Sequence, residues 1–469
     1  MTPPKGGIAA ALITGDKAAI PEEIREVFIN SGLAHILAIS GLHLSIIAGV
    51  VFLIIRRGIA LIPSLCLAYN SKKIAAIGTI LMTLLYLILS GFGIPAQRAF
   101  IMISMVMGAI LINRSALSLR TVALAAFVIL LITPEALLGP SFQLSFAAVI
   151  ALITGYEAFK NPLAHFMVGG GPIRRFIVYS GGLAFTSFLA TLATLPFTIA
   201  LFHRFSLHAI EANLVAVPLT SLVIMPSALL TCLLAPLGLG EGPLWVFDKG
   251  LDGLIMIASS VASWPGSNIW VASPPFLSFV LVVLGGLWLS LWSDKWRLWG
   301  LLPIGFGCSM TFWGVAPDIL IDGQGKVAAL FDKGNLYVSS VRKGKFTAET
   351  WQQALAANTI DSLDCEEGVC KAKVKNKPLI ITNTQQSCIK GGIMIHLEPC
   401  RVPCLEAHLV LDRYDVWRGG SHAVWITEGG FSIERARDIQ GERPWTALSI
   451  PRKDRPDYSA SLGGIQPKP

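Results

Sequence analysis

The chain has 469 residues, of which 53% are hydrophobic and 14% charged, and its formal net charge is +8. A soluble domain carries nearer a quarter charged residues, so this composition excludes a wholly water-soluble protein. Residues 33–317 are nearly free of charge, whereas residues 318–469 have an ordinary soluble composition. We therefore predict a polytopic α-helical membrane bundle followed by a separate C-terminal domain.

Residues 1–32 precede the first apolar span. Within them, the run Pro21–Phe28 spaces its apolar residues as one face of a helix. We predict an amphipathic interfacial helix that leads into the bundle, and a plain solvated lead-in is the alternative. No continuous apolar region typical of a cleavable signal peptide is evident here, so the first span is expected to act as the insertion signal.

Ten apolar stretches follow, and each is read as a membrane span. They are 33–55, 74–92, 98–112, 121–137, 141–157, 176–201, 209–236, 244–263, 275–292 and 298–316. Alternate loops between them hold twelve basic residues, against only Arg98 and Arg204 in the other loops. Basic loops stay in the cytoplasm, so we predict that the N-terminus and the C-terminal domain are both periplasmic, on the outer side of the inner membrane.

The first span, 33–55, contains the polar residues His35, Ser40 and His43, with Gly41 beside Ser40. Polar groups at membrane depth are costly and usually face a bundle interior or a watery cavity. We interpret them as lining a pathway, and close helix packing is the alternative. On one continuous helix His43 would lie about 12 Å deeper in the membrane than His35, so the two are not expected to form one site.

The second and third spans meet at the run Ser90–Phe100, where two glycines and a proline interrupt the helix. Arg98 follows immediately and departs from the positive-inside pattern. We interpret its guanidinium as a phosphate-contacting group at the outer mouth, and snorkelling to the headgroups is the alternative. Gln97 beside it would help to orient a polar ligand.

Further polar residues stand at the heads of later spans. Gln143 and Ser145 open the fifth span, where a contribution to a pathway and hydrogen bonding between helices are both open. A second group lies at the turn before the seventh span. Its members are His203, Arg204, His208, Glu211 and Asn213. This group is either an interfacial salt-bridge corner or part of a mouth.

Five cysteines cluster in the C-terminal domain: Cys365, Cys370, Cys388, Cys400 and Cys404. In an oxidising compartment such a cluster predicts disulfides, and an odd number leaves one thiol over. His396, Cys400, Cys404 and His408 recur every four residues, but prolines before both cysteines prevent a regular helix. We therefore predict disulfides and no metal site. Strands are expected at 335–342, 378–382, 393–397 and 408–411, after a hairpin around Asp322–Gly325.

Five motifs in the bundle resemble the ComEC family, in the order of that family. They are Phe28–Leu44, Gly93–Ala99, Ser141–Phe146, Ala190–Pro196 and Asn213–Pro218. The resemblance implies an inner-membrane channel that passes single-stranded DNA into the cytoplasm during natural transformation. It also implies an external DNA receptor and a cytoplasmic translocation ATPase as partners. The chain has no Walker motif of its own, and no cofactor is expected.

Two departures from the family pattern matter. No OB-like domain precedes Met1, so the chain is expected to be truncated or to come from a split gene. The tail, 318–469, resembles a degenerate metallo-β-lactamase domain without the His-x-His-x-Asp-His run. We therefore predict a lead-in (1–32), a competence-type membrane domain (33–317) and a C-terminal domain (318–469), with no enzymatic activity.

The leading hypothesis is a channel for single-stranded DNA, which needs cations at its mouth and polar or aromatic walls. Arg98, Arg204, His203 and His208 would supply the cations, and His35, His43, Ser40 and Gln143 would line the bundle. A small-molecule permease is the main alternative, although no internal repeat typical of transporters is found. A hydrolase using Ser40 and His43 is a third, but their helix lacks a nucleophile elbow. A homo-oligomer is left open.

Overall fold

The structure is a computed structural model. It describes residues 4–39, 41–62, 64, 68, 70–114, 118–167, 171–384, 390–399, 406–441 and 443, with only the backbone for 160–167 and 172. The chain divides into two compact units. Unit 1 comprises Met1–Ile269 and Pro275–Met310, and unit 2 comprises Trp270–Pro274 and Thr311–Pro469.

Unit 1 is helical. Its helices are α1 (Lys5–Thr14), α2 (Glu22–Asn30), α3 (Gly41–Ala60), α4 (Ser71–Leu89), α5 (Ile94–Leu111), α6 (Leu119–Ile132), α7 (Pro140–Met167), α8 (Pro172–Phe202), α9 (Ala209–Leu219), α10 (Met225–Leu234), α11 (Glu241–Ala262), α12 (Phe276–Leu291) and α13 (Leu301–Thr311). Four 3₁₀ segments occur at Ala34–Leu37, Pro134–Leu138, Ala235–Leu237 and Lys295–Gly300, and a π segment at Thr220–Ile224. Two-residue strands lie at β1 (Arg204–Phe205) and β2 (Ile269–Trp270), and Trp270 of β2 is counted with unit 2.

Six helical stretches of the described chain are long and apolar enough to cross a membrane. They are Gly41–Ala60, Ser71–Leu89, Ile94–Leu111, Pro140–Phe159, Ile173–Phe202 and Ala209–Leu237. Three shorter apolar helices accompany them, namely α1, α6 and α12. The prediction of a multi-span helical region is confirmed, with six rather than ten stretches of membrane length. The predicted span 298–316 holds only the 11 residues of α13 as α-helix, about 16 Å, which is too short to cross a bilayer.

The prediction that 33–55 forms one continuous helix is wrong. A 3₁₀ turn occupies Ala34–Leu37, Ala38 is extended with φ −106° and ψ 145°, and α3 begins only at Gly41. Gly32, before the turn, adopts the left-handed φ of +77° that glycine tolerates without steric cost. A Cβ at Gly32 would lie 2.6 Å from the Cβ of Ala209, so the chain needs glycine here to pack against α9.

The largest core of unit 1 includes its N-terminal helices. Ile8 and Leu12 of α1 and Phe28 of α2 are fully buried together with Phe247 and Leu254 of α11. The amphipathic helix predicted at Pro21–Phe28 is present as α2, and apolar side chains of residues 1–32 pack within the helical unit. This arrangement places the 3₁₀ turn and the head of α9 around the same core.

Unit 2 is a mixed β-sheet domain. Its strands are β3 (Ile319–Ile321), β4 (Ala328–Asp332), β5 (Asn335–Val338), β6 (Ile360–Ser362), β7 (Cys365–Glu366), β8 (Val369–Val374), β9 (Lys377–Thr382), β10 (Ile393–His396), β11 (Leu409–Leu411), β12 (His422–Thr427) and β13 (Gly430–Arg435). They form a six-stranded sheet, β13-β12-β3-β4-β5-β6, and a five-stranded sheet, β11-β10-β9-β8-β7. Its helices are α14 (Lys345–Leu355), α15 (Arg413–Gly419) and α16 (Ala436–Gln440).

The main core of unit 2 lies between its two sheets. Ile319 and Ile321 of the first sheet are buried against Leu379, Ile393 and Ile395 of the second. A smaller core lies under α14 on the other face of the first sheet. The predicted hairpin is confirmed, because β3 and β4 pair antiparallel on either side of the Asp322–Gly325 turn, and the four predicted strands are present as β5, β9, β10 and β11.

A disulfide joins Cys365 to Cys370 across the β7–β8 hairpin. The other three cysteines of the predicted cluster, Cys388, Cys400 and Cys404, lie outside the described residues. Among the described cysteines, Cys232 and Cys308 of unit 1 are free and exposed.

Candidate functional site

The break before α3 positions the two histidines of the first predicted span. His43 lies in the first turn of α3 and its side chain is fully buried, whereas His35 is exposed in the 3₁₀ turn, with Nδ1 3.2 Å from the Gly32 carbonyl. The expectation that both histidines lie on one continuous helix is therefore wrong. Gly41 is exposed at the start of α3, and Ser40 lies outside the described residues.

Arg98 is the most unusual polar residue of unit 1. It lies one turn into α5, after the left-handed residues Gly91 (φ +72°) and Phe92 (φ +55°) that end α4. Arg98 is only 7% exposed, and its Nε and Nη1 have no hydrogen-bond partner among the described residues. A buried charge without a partner is costly, so this guanidinium is suited to receive an anion or water. Such burial does not fit the snorkelling alternative.

Gln97 has a local structural contact instead. Its Nε2 donates to the carbonyl of Phe92 at 2.6 Å. This bond closes the turn between α4 and α5 from the α5 side. The amide nitrogen of Gln97 therefore supports the segment that carries Arg98.

The head of α7 carries a second incompletely bonded side chain. Gln143 Nε2 donates to the Leu137 carbonyl at 3.1 Å, while its buried Oε1 has no partner in the described part of the chain. Ser145 is half-buried two residues further on. Gln143 thus presents a free acceptor inside an apolar unit, where a polar ligand or water would satisfy it.

Packing brings these helices together. Leu44 and Ala48 of α3 are buried against Ala99 of α5. On another side of α5, Ile101 packs in a cluster with Phe142 of α7. Helix α5, which carries Arg98, therefore shares one apolar cluster with the helix of His43 and another with the helix of Gln143. We take these three residues as the candidate site residues: a buried cation and two neutral polar groups on different helices of unit 1.

The predicted cations at the turn between α8 and α9 have partners within the protein. Arg204 donates to both carboxylate oxygens of Glu26, at 2.9 and 3.4 Å. His208 Nε2 lies 3.0 Å from the Pro265 carbonyl. Burial lowers the pKa of His203, which keeps its ring neutral at neutral pH. The structure thus favours the salt-bridge corner over a free cationic mouth, although the Asn213 Oδ1 beside it is buried without a described partner.

Sequence reasoning missed several polar contacts of unit 1. Lys5 of α1 bonds Asp248 at 2.6 Å and Asp252 at 3.1 Å. The spacing of the two aspartates, one helical turn apart on α11, was a signal for a shared partner. Four further side-chain oxygens are buried without a partner in the described residues. They belong to Asn30, Ser104, Ser206 and Thr220. No local pattern in the sequence distinguishes these from ordinary helix-packing residues.

Unit 2 shows no metal centre in its described part. No group of three or more His, Cys, Asp or Glu residues there is arranged to hold a metal ion. His396 and His422 are each buried, and burial lowers the pKa of both rings. Two members of the four-residue repeat weighed above, Cys400 and Cys404, lie outside the described residues.

Comparison with known proteins identifies the family of the chain. A family model described as "Competence protein" matches residues 12–296. The chain is 27% identical over 369 residues to ComE operon protein 3 of Bacillus subtilis, covering 75% of this chain and 44% of the relative. It is 24% identical over 405 residues to Recombination protein 2 of Haemophilus influenzae, covering 84% of this chain and 48% of the relative.

A third relative, Uncharacterized protein YcaI of Escherichia coli, is 30% identical over 346 residues, covering 68% of this chain and 44% of the relative. The chain thus spans about half the length of the curated relatives it matches. No solved structure matches it. The family model covers most of unit 1 and the resemblance to the ComEC family is confirmed: the chain belongs to the Competence protein family.

Proposed function

We propose that this chain forms a channel that passes single-stranded DNA across the inner membrane during natural transformation. Membership of the competence family and the six membrane-length helices support this proposal. The observation that carries it is Arg98, a buried guanidinium with two unbonded nitrogens among the described residues of an apolar helical unit. Intramembrane ionisable residues commonly mark substrate pathways.

The candidate site suits a strand that must pass through rather than stay bound. The Arg98 guanidinium can hold one backbone phosphate through two parallel hydrogen bonds. His43 and Gln143, on two other helices of unit 1, are neutral polar groups, so they would hydrogen-bond the strand without holding its charge. Conduction requires a site that binds well enough to admit the substrate and weakly enough to release it. A single buried cation meets that requirement better than a row of cations.

The proposed channel also has a defined orientation in the membrane. We propose an even number of crossings, ten in the sequence-based count, with both the N-terminus and unit 2 in the periplasm. The excess of basic residues in alternate loops supports this orientation. Unit 2 would be a degenerate metallo-β-lactamase relative, since two mixed sheets enclose its core. We infer transport rather than catalysis as the role of the whole chain.

Transport in this form needs other proteins. An external receptor would deliver the strand, and a cytoplasmic ATPase would supply energy, as the family resemblance implies. A homo-oligomer is compatible with the exposed apolar surface of unit 1. The description of the family is competence protein, and the name of the Haemophilus influenzae relative records recombination. Passage of DNA is part of the proposal.

The decisive experiment replaces Arg98. In a deletion strain of a naturally transformable host, complementation by this chain is measured as transformation frequency, with Arg98→Gln and Arg98→Lys variants beside it. We expect Arg98→Gln to lower the transformation frequency at least about 100-fold, because it removes the charged hydrogen bonds that Arg98 would make to a phosphate. Arg98→Lys should recover part of the loss, because it restores the charge without the bidentate geometry.

Arg114→Gln is the matched control, because Arg114 is an exposed arginine in a loop of the same unit. Membrane levels of each variant are compared by immunoblot, which separates misfolding from lost transport. Normal transformation with Arg98→Gln at normal membrane level would refute the role of Arg98. If the unmodified chain restores uptake of a small solute but not of DNA, the permease alternative replaces the proposal.

A further inference from the structure

We propose that the turn between α12 and α13 binds the headgroup of an anionic phospholipid. Four tryptophans gather there: Trp288 in the last turn of α12, and Trp292, Trp296 and Trp299 after it. We call this segment, with its two basic residues Lys295 and Arg297, the tryptophan turn. The inference rests on membrane insertion of unit 1 and not on the transport of DNA. It therefore survives or fails independently of the channel.

The four rings form one connected cluster with Trp296 at its centre. The Trp296 ring centroid lies 5.6 Å from that of Trp288, 6.4 Å from that of Trp292 and 6.2 Å from that of Trp299. The indole nitrogen of Trp288 donates to the Trp296 carbonyl at 3.2 Å. Mutual contact fixes the rings, so they present a preorganised surface rather than four independent side chains.

The rings are held together yet remain open to the surroundings. Trp292 is 47% exposed, Trp296 52% and Trp299 62%. A cluster formed only for core packing would be covered by other parts of the fold. Indole rings of this kind favour the headgroup level of a bilayer, where an apolar body and a polar N–H are both accommodated.

Two cations stand on either side of Trp296 in the sequence. Lys295 and Arg297 flank Trp296 in sequence, and within the described part of the chain neither forms an ion pair. Asp294 is the one acidic residue of the 292–300 segment. The turn therefore carries an unneutralised positive charge beside polarisable rings. A phosphate-bearing lipid headgroup is complementary to both features.

The neighbouring surface distinguishes a lipid from a nucleic acid. Leu291, Leu298 and Leu301 border the rings and are all more than half exposed. Helix α12 has 16 residues, about 24 Å, a little less than the roughly 30 Å hydrocarbon core. Its end therefore falls near the boundary of that core. A bound nucleic acid would leave these leucines in water, whereas a phospholipid covers them with its acyl chains.

The test reconstitutes the full-length chain into nanodiscs that contain phospholipids brominated close to the glycerol. Bromine quenches nearby tryptophan emission, so brominated phosphatidylglycerol is compared with brominated phosphatidylcholine. We expect stronger quenching by the phosphatidylglycerol. Lys295→Gln with Arg297→Gln should reduce that preference roughly 25-fold, because each basic side chain near an anionic surface contributes a factor of about five.

The control pair is Arg56→Gln with Arg57→Gln, which removes two adjacent cations at the end of α3, where no tryptophan is near in sequence. It should leave the preference unchanged, while Trp296→Leu should remove most of the quenching difference. Equal quenching by both lipids in the unmodified chain overturns the proposal. So does a single-stranded oligonucleotide that quenches through Trp296 in nanodiscs of phosphatidylcholine alone, which would make the turn a nucleic-acid surface.

Discussion

Units 1 and 2 place their side chains in opposite ways. In unit 1 large apolar residues are exposed along helix after helix, while Arg98 and the amide oxygens of Gln143 and Asn213 are buried. In unit 2, among the described residues after Val315, the exposed large apolar residues are Val341, Phe346, Trp417 and Ile439. The core of unit 2 lies between sheets and is almost wholly apolar.

The difference shows which solvent each unit is built for. An apolar side chain that faces outward costs nothing in lipid, whereas in water it loses the hydrophobic stabilisation of burial. In lipid the remaining problem is where to put polar groups, and unit 1 turns several of them inward without full hydrogen bonding. Those groups are the ones for which a polar substrate or water is the missing partner.

Replacing isoleucine by aspartate in the core of unit 2 should have the largest effect. Ile395 is buried between the two sheets, so Ile395→Asp should destabilise unit 2 by more than about 4 kcal/mol and unfold it. Ile439→Asp is the matched control, since Ile439 is 68% exposed. Limited trypsin digestion of the full-length protein measures the outcome. Equal resistance in both variants would contradict the assigned core.

An isoleucine-to-aspartate change on the surface of unit 1 should be less destabilising than Ile395→Asp but far more destabilising than Ile439→Asp. Ile77 of α4 is 50% exposed, yet Ile77→Asp should oppose insertion by about 2–3 kcal/mol, because an aspartate there faces hydrocarbon. The membrane-inserted fraction is read by protease protection and alkaline extraction. If Ile77→Asp were as harmless as Ile439→Asp, the surface of α4 would face water or an aqueous cavity.

The Cys365–Cys370 disulfide is expected to stabilise unit 2 by less than either of the two preceding effects. It closes a loop with a sequence separation of five residues, for which chain entropy predicts about 2 kcal/mol. Cys365→Ser should lower the midpoint of denaturant unfolding of unit 2, and Cys308→Ser should not, because Cys308 is free. In cells, alkylation of Cys365 and Cys370 without prior reduction would place unit 2 in a reducing compartment and refute its proposed periplasmic location.

The smallest predicted effect concerns the ion pair between Glu26 and Arg204. A double-mutant cycle with Glu26→Gln and Arg204→Gln should give a coupling of about 1 kcal/mol, at the upper end for partly exposed pairs. The cycle at Glu22 and Arg25, both more than half exposed, should give about 0.3 kcal/mol. Thermal unfolding in detergent supplies the values. A coupling free energy near zero at Glu26 and Arg204 would contradict the salt-bridge interpretation and favour a role for Arg204 as a cation of the channel mouth.

The sequence was sufficient where the signal is local. Apolar length marked the membrane helices, the Gly-rich turn marked the hairpin between β3 and β4, and the glycines before Arg98 marked the end of α4. For the candidate site the sequence supplied the residue types, since His43, Arg98 and Gln143 were singled out from polarity within apolar runs. It did not supply their surroundings, because burial is set by segments that are distant along the chain.

The sequence by itself thus determined the solvent of each unit, through its charge distribution and hydropathy, and the family to which the chain belongs. Only the tertiary structure decided that the first span breaks before Gly41, that Arg98 is buried, and that Arg204 already has a carboxylate. Glu26 and Arg204 are separated by 178 residues. Hydropathy and periodicity describe neighbours along the chain, whereas pairing and burial depend on which helices the fold brings into contact.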